Sequence, residues 1–389
     1  MVTANKTKKR IAIIGGGPGG LTLALILQRH GIAVTIYERE LKDANAQRGG
    51  SLDIHEDSGQ IALKEAGLLE QFQAIARYEG EDFRLFDKSG KIYMDERAEE
   101  GEQGGRPEID RGTLSDLLLN ALQPDTIRYG YKLTEAVALE GGQHELHFDN
   151  CVKETVDLVI GADGAFSKLR PLLTDAKVSY SGLTMIELQV DSKVHPDQAS
   201  FNARGKVFGL GDHKGILAQL NGDGKIKVAL TFTAEQNWMD TCGIPFDQPK
   251  EAKEQLLAYF EDWAEPLQNY IRKSEDNILL RRIYTLPVGL KWDHKPGITL
   301  IGDAAHLMSP FAGEGVNLAM HDAAELALAI TGHEDFDKAI QAYEEKMYEY
   351  SSSSAKVSDD NLKLMFSDNA AMKLKASFDE LFAQFAQQE

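Results

Sequence analysis

The chain has 389 residues, long enough for a sizeable core and two domains. Its 42 basic and 61 acidic side chains give a net charge of −19, which argues against nucleic acid or an anionic membrane as partner, since both select basic patches. The two cysteines, Cys151 and Cys242, form no C-x-x-C and no His/Cys cluster, so no disulfide scaffold, metal site or iron–sulfur cluster is expected. Residues 11–27 are uncharged but glycine-rich, shorter than the ~20 residues of a bilayer span, and lack a signal-peptide cleavage pattern. A soluble, cytoplasmic monomer is expected.

Along the chain, the first unit is a βαβ pattern over residues 9–40. An apolar run, Ile11–Ile14, enters a glycine turn, and an amphipathic segment, Leu21–Arg29, leaves it. Gly15, Gly17 and Gly20 fill the G-x-G-x-x-G positions: a tight turn, close approach to a pyrophosphate, and close helix–strand packing. The helix start then offers N–H groups and a positive dipole end to phosphates. Glu38, ending the next strand, is placed to accept hydrogen bonds from a ribose 2′-OH, which disfavours NADP at this site. The span predicts a dinucleotide site.

A helix is predicted from Ser58 to Ala66, closed by Gly67, and residues 95–105 read as an acidic surface loop. Thr113 and Asp116 have capping-box spacing, with Arg111 just outside the helix start. Asp157–Gly161 and Ile298–Gly302 are buried-strand patterns, each ending in a glycine–acid turn. Residues 183–193 and 205–233 are strand-like, with a hairpin turn at Asn221–Gly224, and 249–274 are helical with a break before Pro266. This block reads as an antiparallel sheet beside the dinucleotide domain, a floor for a substrate. From Phe336 onward the pattern is helical. The run Ser351–Ser354 reads either as a linker or as the polar face of one long helix.

The segment Gly302-Asp303-Ala304-Ala305-His306, followed by Pro310 and Gly313–Asn317, carries the chemistry. Asp303 at a strand end can accept hydrogen bonds from ribityl hydroxyls. The turn Gly313-Glu314-Gly315-Val316 starts a helix whose N–H groups can hold a flavin's N1–C2=O edge and stabilise negative charge there. His306 reads as a packed, hydrogen-bonded residue.

The N-terminal glycine unit, Asp163-Gly164 after a strand, and Gly302-Asp303 with its glycine turn resemble the three signatures of class A flavoprotein monooxygenases, in the same order. Glu38-Arg39, Gly49 to His55, Pro107 to Arg111, Gly302 to Asn317 and Asn361 to Phe366 resemble the tetracycline-inactivating monooxygenases over essentially the whole chain. The resemblance implies an α/β fold. A Rossmann-like FAD-binding domain (1–78, 100–174, 282–335) stands with an antiparallel-sheet substrate domain (175–281) and a C-terminal bridging helix (336–389).

It also implies that FAD is bound tightly by Glu38, Arg39, Arg48, Asp53, Arg111, Asp303 and the Gly313, Glu314, Gly315, Val316 turn. NADPH and O2 act as transient co-substrates, and oxygen reaches the substrate through a flavin C4a-hydroperoxide. Asp163 reads either as a bridge between FAD and NADPH or as a turn-forming residue. Pro310, Gly313, Asn361 and Met365 border the substrate. The family's Gln, Arg and His on the central sheet align with Glu187, Lys206 and Lys227. Arg to Lys loses a bidentate fork, and His to Lys replaces a switchable group by a fixed cation. The implied activity is hydroxylation and inactivation of tetracyclines. The alternatives are hydroxylation of another phenolic or polyketide-like ring, or an FAD-binding protein without turnover. No W-x-W-x-I-P segment of a flavin halogenase is present.

Overall fold

The computed structural model describes residues 9–42, 49–97 and 104–385. Arg48 and the centre of the acidic loop, 98–103, lie outside the described residues. The chain divides into two compact units: Met1–Ala76, Arg111–Ser179 and Tyr284–Asp359 form the first, and Arg77–Asp110, Tyr180–Ile283 and Asp360–Glu389 the second. Residues 104–110 thus group with the second unit, against the expected 100–174 piece.

In the first unit β1 (Ile11–Ile14) is the centre of a five-stranded parallel sheet. β2 (Thr35–Glu38) and β3 (Leu158–Gly161) flank it, with β4 (Ile298–Leu300) beyond β3 and Ile127–Tyr129 beyond β2. Both faces are covered, so β1, β3 and β4 are buried throughout and read as unbroken apolar runs. Helix α1 (Pro18–Arg29) buries Leu21 to Leu27 against this sheet. It packs closely on α2 (Gly315–Gly332): a Cβ on Gly19 would lie 2.7 Å from the Ala319 carbonyl oxygen. The helix Gly59–Ala66 ends as expected on Gly67 in the left-handed conformation. The helix Arg111–Ala121 starts two residues before Thr113, so Arg111 is its first residue and the Thr113–Asp116 pair caps nothing.

The second unit holds a seven-stranded sheet in the order Leu279–Thr285, Ser179–Asp191, Lys225–Thr233, Lys214–Leu220, Lys206–Gly211, Phe83–Asp87, Ile92–Glu96. The central pairings are antiparallel, and Lys206–Gly211 pairs parallel with Phe83–Asp87. One face, including Ile186, Leu188, Val228 and Leu230, packs on Phe260, Trp263 and Leu267 of the helical segment 249–272. α3 (Phe336–Met365) runs unbroken through Ser351–Ser354, which settles the serine run as part of a helix. The C-terminal segment is two helices rather than one: Asn369 takes φ 55°, and α4 (Ala370–Phe385) starts afresh. No helix among the described residues is long and apolar enough to cross a membrane.

Candidate active site

The glycine turn follows from close approach. Gly15 has φ +110°, and a Cβ there would lie 2.2 Å from the Ala162 carbonyl oxygen; one on Gly20 would lie 2.2 Å from the Gly15 oxygen. Neither position admits a side chain. Gly17, the N-cap of α1, faces open space and gives no side-chain cap, so the first N–H groups of the helix remain available. The Glu38 carboxylate reaches this turn, accepting from Gly16 N at 2.6 Å and from Glu40 N at 2.9 Å. Arg39 is exposed, 3.5 Å from Glu40.

Asp163 and Asp303 follow the ends of β3 and β4, the edge at which open α/β sheets bind ligands. Between them lies Arg170, only 4 % exposed. Its guanidinium donates to the carbonyls of Ala304 (2.8 Å), Ala165 (2.9 Å) and Asp303 (3.0 Å), tying the two loops together. Asp163 Oδ2 accepts from Lys168 N at 2.7 Å, while Oδ1 is buried with no protein partner. Burial raises the Asp163 carboxyl pKa. Asp303 is exposed, at the start of the short helix Asp303–His306. Lost hydration raises its pKa despite the nearby His306, Arg111 and Arg170 charges. Sequence reading missed Arg170, although a lone cation in the run Leu169–Leu173 was a signal.

His306 is a buried structural residue, as read. Its Nε2 lies 2.8 Å from Asp322 Oδ2, which also accepts from Gly302 N at 2.6 Å, while Asp322 Oδ1 accepts from Tyr350 at 2.5 Å. Burial lowers the His306 pKa, but the Asp322 charge and hydrogen bond outweigh it, and the net direction is up.

The N-terminus of α2 again has no side-chain cap. Its Asn317 is fully buried and donates to the carbonyls of Asp53 (2.9 Å) and Gly313 (3.2 Å) while accepting from His55 N (2.9 Å). His55 lies 3.4 Å from both Asp53 and Glu314. Asp53, Gly313, Glu314, Gly315 and Val316 therefore form one cluster. Pro310 precedes it, held by the buried Ser309–Ser358 hydroxyl pair at 2.6 Å. Arg111 abuts Gly49, where a Cβ would lie 2.5 Å from its Cδ.

In the second unit Glu187, Lys206 and Lys227 share one sheet face, opposite the apolar core, and all are half-buried. Glu187 pairs with Arg281, Lys227 donates to Gln189, and Lys206 lies 3.6 Å from the fully buried Glu108. Asn361 and Met365 lie in the last turns of α3, Met365 buried.

Two helix N-termini without side-chain caps, a glycine turn in close contact with the next loop, and a buried carboxylate oxygen at the sheet edge fit a flavin dinucleotide. A family model described as FAD binding domain matches residues 8–215 and 290–357. The monooxygenase asqM of Emericella nidulans is 30% identical over 431 aligned residues, covering 93% of this chain and 96% of that one. Klebsiella pneumoniae HpxO complexed with FAD and uric acid shares the fold at a TM-score of 0.79 and 19% identity, over 97% of this chain and 93% of that one. The tetracycline destructase Tet(51) does so at a TM-score of 0.69 and 21% identity, over 95% and 94%. The chain belongs to the class A family of FAD-binding monooxygenases.

Proposed function

We propose that this monooxygenase takes its electrons from NADPH and hydroxylates an electron-rich, enol- or phenol-bearing ring system, with tetracyclines the first candidates. The observation that carries the reading is the joining of the β3 and β4 loops by Arg170, with Asp163 and Asp303 held at one sheet edge. FAD, when bound, supplies the redox chemistry. The protein's part is positional: Glu38 and the α1 N-terminus hold the ribose and pyrophosphate, Asp303 the ribityl hydroxyls, and the α2 N-terminus the pyrimidine edge. Pro310, Gly313, Asn361 and Met365 border the ring to be oxidised, and Glu187, Lys206 and Lys227 choose it. The altered sheet residues favour a second reading, another phenolic or polyketide-like ring. The same proposal puts the enzyme in the cytoplasm, as a monomer.

The test is NADPH oxidation by FAD-loaded protein with and without tetracycline, with chromatography of the antibiotic. Stimulated oxidation with an oxygenated product supports the tetracycline reading. Stimulation without product means a bound but misplaced ring. No stimulation removes tetracyclines and leaves the second reading.

A further inference from the structure

The register lines up one polar row across the second unit's sheet: Gln189 opposite Lys227, Lys227 opposite Gln219, Gln219 opposite Lys206. Beside it runs an apolar row of Ala229, Leu217 and Phe208. All seven are half-buried. The C-terminal segment rests on the same face at its ends, where a Cβ on Gly215 would lie 3.5 Å from the Phe366 ring and Phe83 packs on Phe378.

The hydrogen bonds give this row a direction. Glu275 accepts from Gln189 Nε2 at 2.8 Å, which turns Gln189 Oε1 toward Lys227, and Lys227 Nζ donates to it. Buried Glu108 accepts from Gln219 Nε2 at 2.6 Å, so the amide's other end, Oε1, is left as an acceptor. Lys206 has Glu108 beside it and Lys225 has Asp191 and Glu275. Lys227 differs: among the described residues no carboxylate lies within 4 Å of its ammonium, and its recorded partner is the neutral Gln189 carbonyl. Two carboxylates thus act through amides and leave a cation, and an acceptor, uncompensated beside an apolar strip.

We propose that this strip holds a planar substrate by an edge carrying an anionic oxygen next to a hydroxyl, such as an enolate or a hydroxy acid. Lys227 binds the anion, Gln219 Oε1 accepts from the hydroxyl, and Gln189 is a positioning residue. This rests on the ring-hydroxylase reading and names its substrate class.

The experiment titrates FAD-loaded protein with 2-hydroxybenzoate and its neutral isostere 2-hydroxybenzamide, following the flavin absorbance change. Wild type binds the anion more tightly. Lys227→Met weakens the anion about tenfold or more while leaving the amide unchanged, the size of a lost charge-assisted hydrogen bond. Gln189→Glu sets a carboxylate against Lys227 and gives the same selective loss with the lysine present, and Lys227→Arg retains the preference. An anion-to-amide ratio near one in wild type, or a ratio unmoved by Lys227→Met and Gln189→Glu, overturns the proposal. NADPH oxidation in the same samples is read separately: its absence removes 2-hydroxybenzoate as a ring that is hydroxylated and leaves the binding ratio to stand or fall alone.

Discussion

Replacing Arg170 by methionine isolates the clamp between the β3 and β4 loops. The side chain is 4 % exposed and donates to three carbonyls, at 2.8, 2.9 and 3.0 Å. A hydrogen bond to a charged group contributes about 1.5–3 kcal/mol net, but three on one guanidinium do not add. Breaking a buried charged cluster from one side costs about 3–5 kcal/mol. Methionine keeps most of the stem's packing, so that range is the expected loss of stability. If half of it is needed to restore the two loops when FAD binds, the FAD dissociation constant rises about thirtyfold. Fluorescence titration of apoprotein with FAD measures this, beside urea unfolding. Arg170→Lys, which keeps the charge without the fork, falls between the two. A folded Arg170→Met protein that binds FAD within threefold of wild type (roughly 0.6 kcal/mol) refutes the clamp.

Asp303→Ala should lower the flavin content of purified protein, read from the visible-to-ultraviolet absorbance ratio; an unchanged ratio removes Asp303 from the FAD site. Gly20→Ala sets a methyl 2.2 Å from a backbone oxygen that no rotamer change can move, so a loss of about 2–3 kcal/mol is expected in urea midpoints. The His306–Asp322 pair predicts a pH signature. Because the folded-state pKa of His306 is raised, the stabilisation relative to His306→Gln is full below the ordinary value of 6.5 and is lost as pH rises through the folded value. Midpoints of both proteins across neutral pH measure it, and a pH-independent difference contradicts the pairing.

What the sequence displayed was local. The Gly15–Gly20 turn, the buried strands and the Gly67 helix stop each follow from a few neighbouring residues, and those elements form where expected. Arg170 stood out as a lone cation, but its clamping role was illegible because two of its three acceptors lie 133 and 134 residues away. The parallel pairing of Lys206–Gly211 with Phe83–Asp87 and the Glu108–Gln219 bond have the same cause, sequence separation. The Thr113–Asp116 spacing misled because capping residues matter only where the backbone starts a helix, and the loop entering at Gly49–Gly50 lets Arg111 start it, its N–H donating to the Gly50 carbonyl at 3.2 Å. Single-residue chemistry at Lys227 was visible, but its meaning depends on which end of Gln189 faces it.

The Arg170 clamp also bears on the order of assembly. Closing a loop of about 134 residues costs roughly 4 kcal/mol of chain entropy, more than any one of its hydrogen bonds returns. The clamp therefore forms after the strands have docked, late in folding. On the ribosome, the β3 loop, made first, waits for residues near 304 before Arg170 has its acceptors.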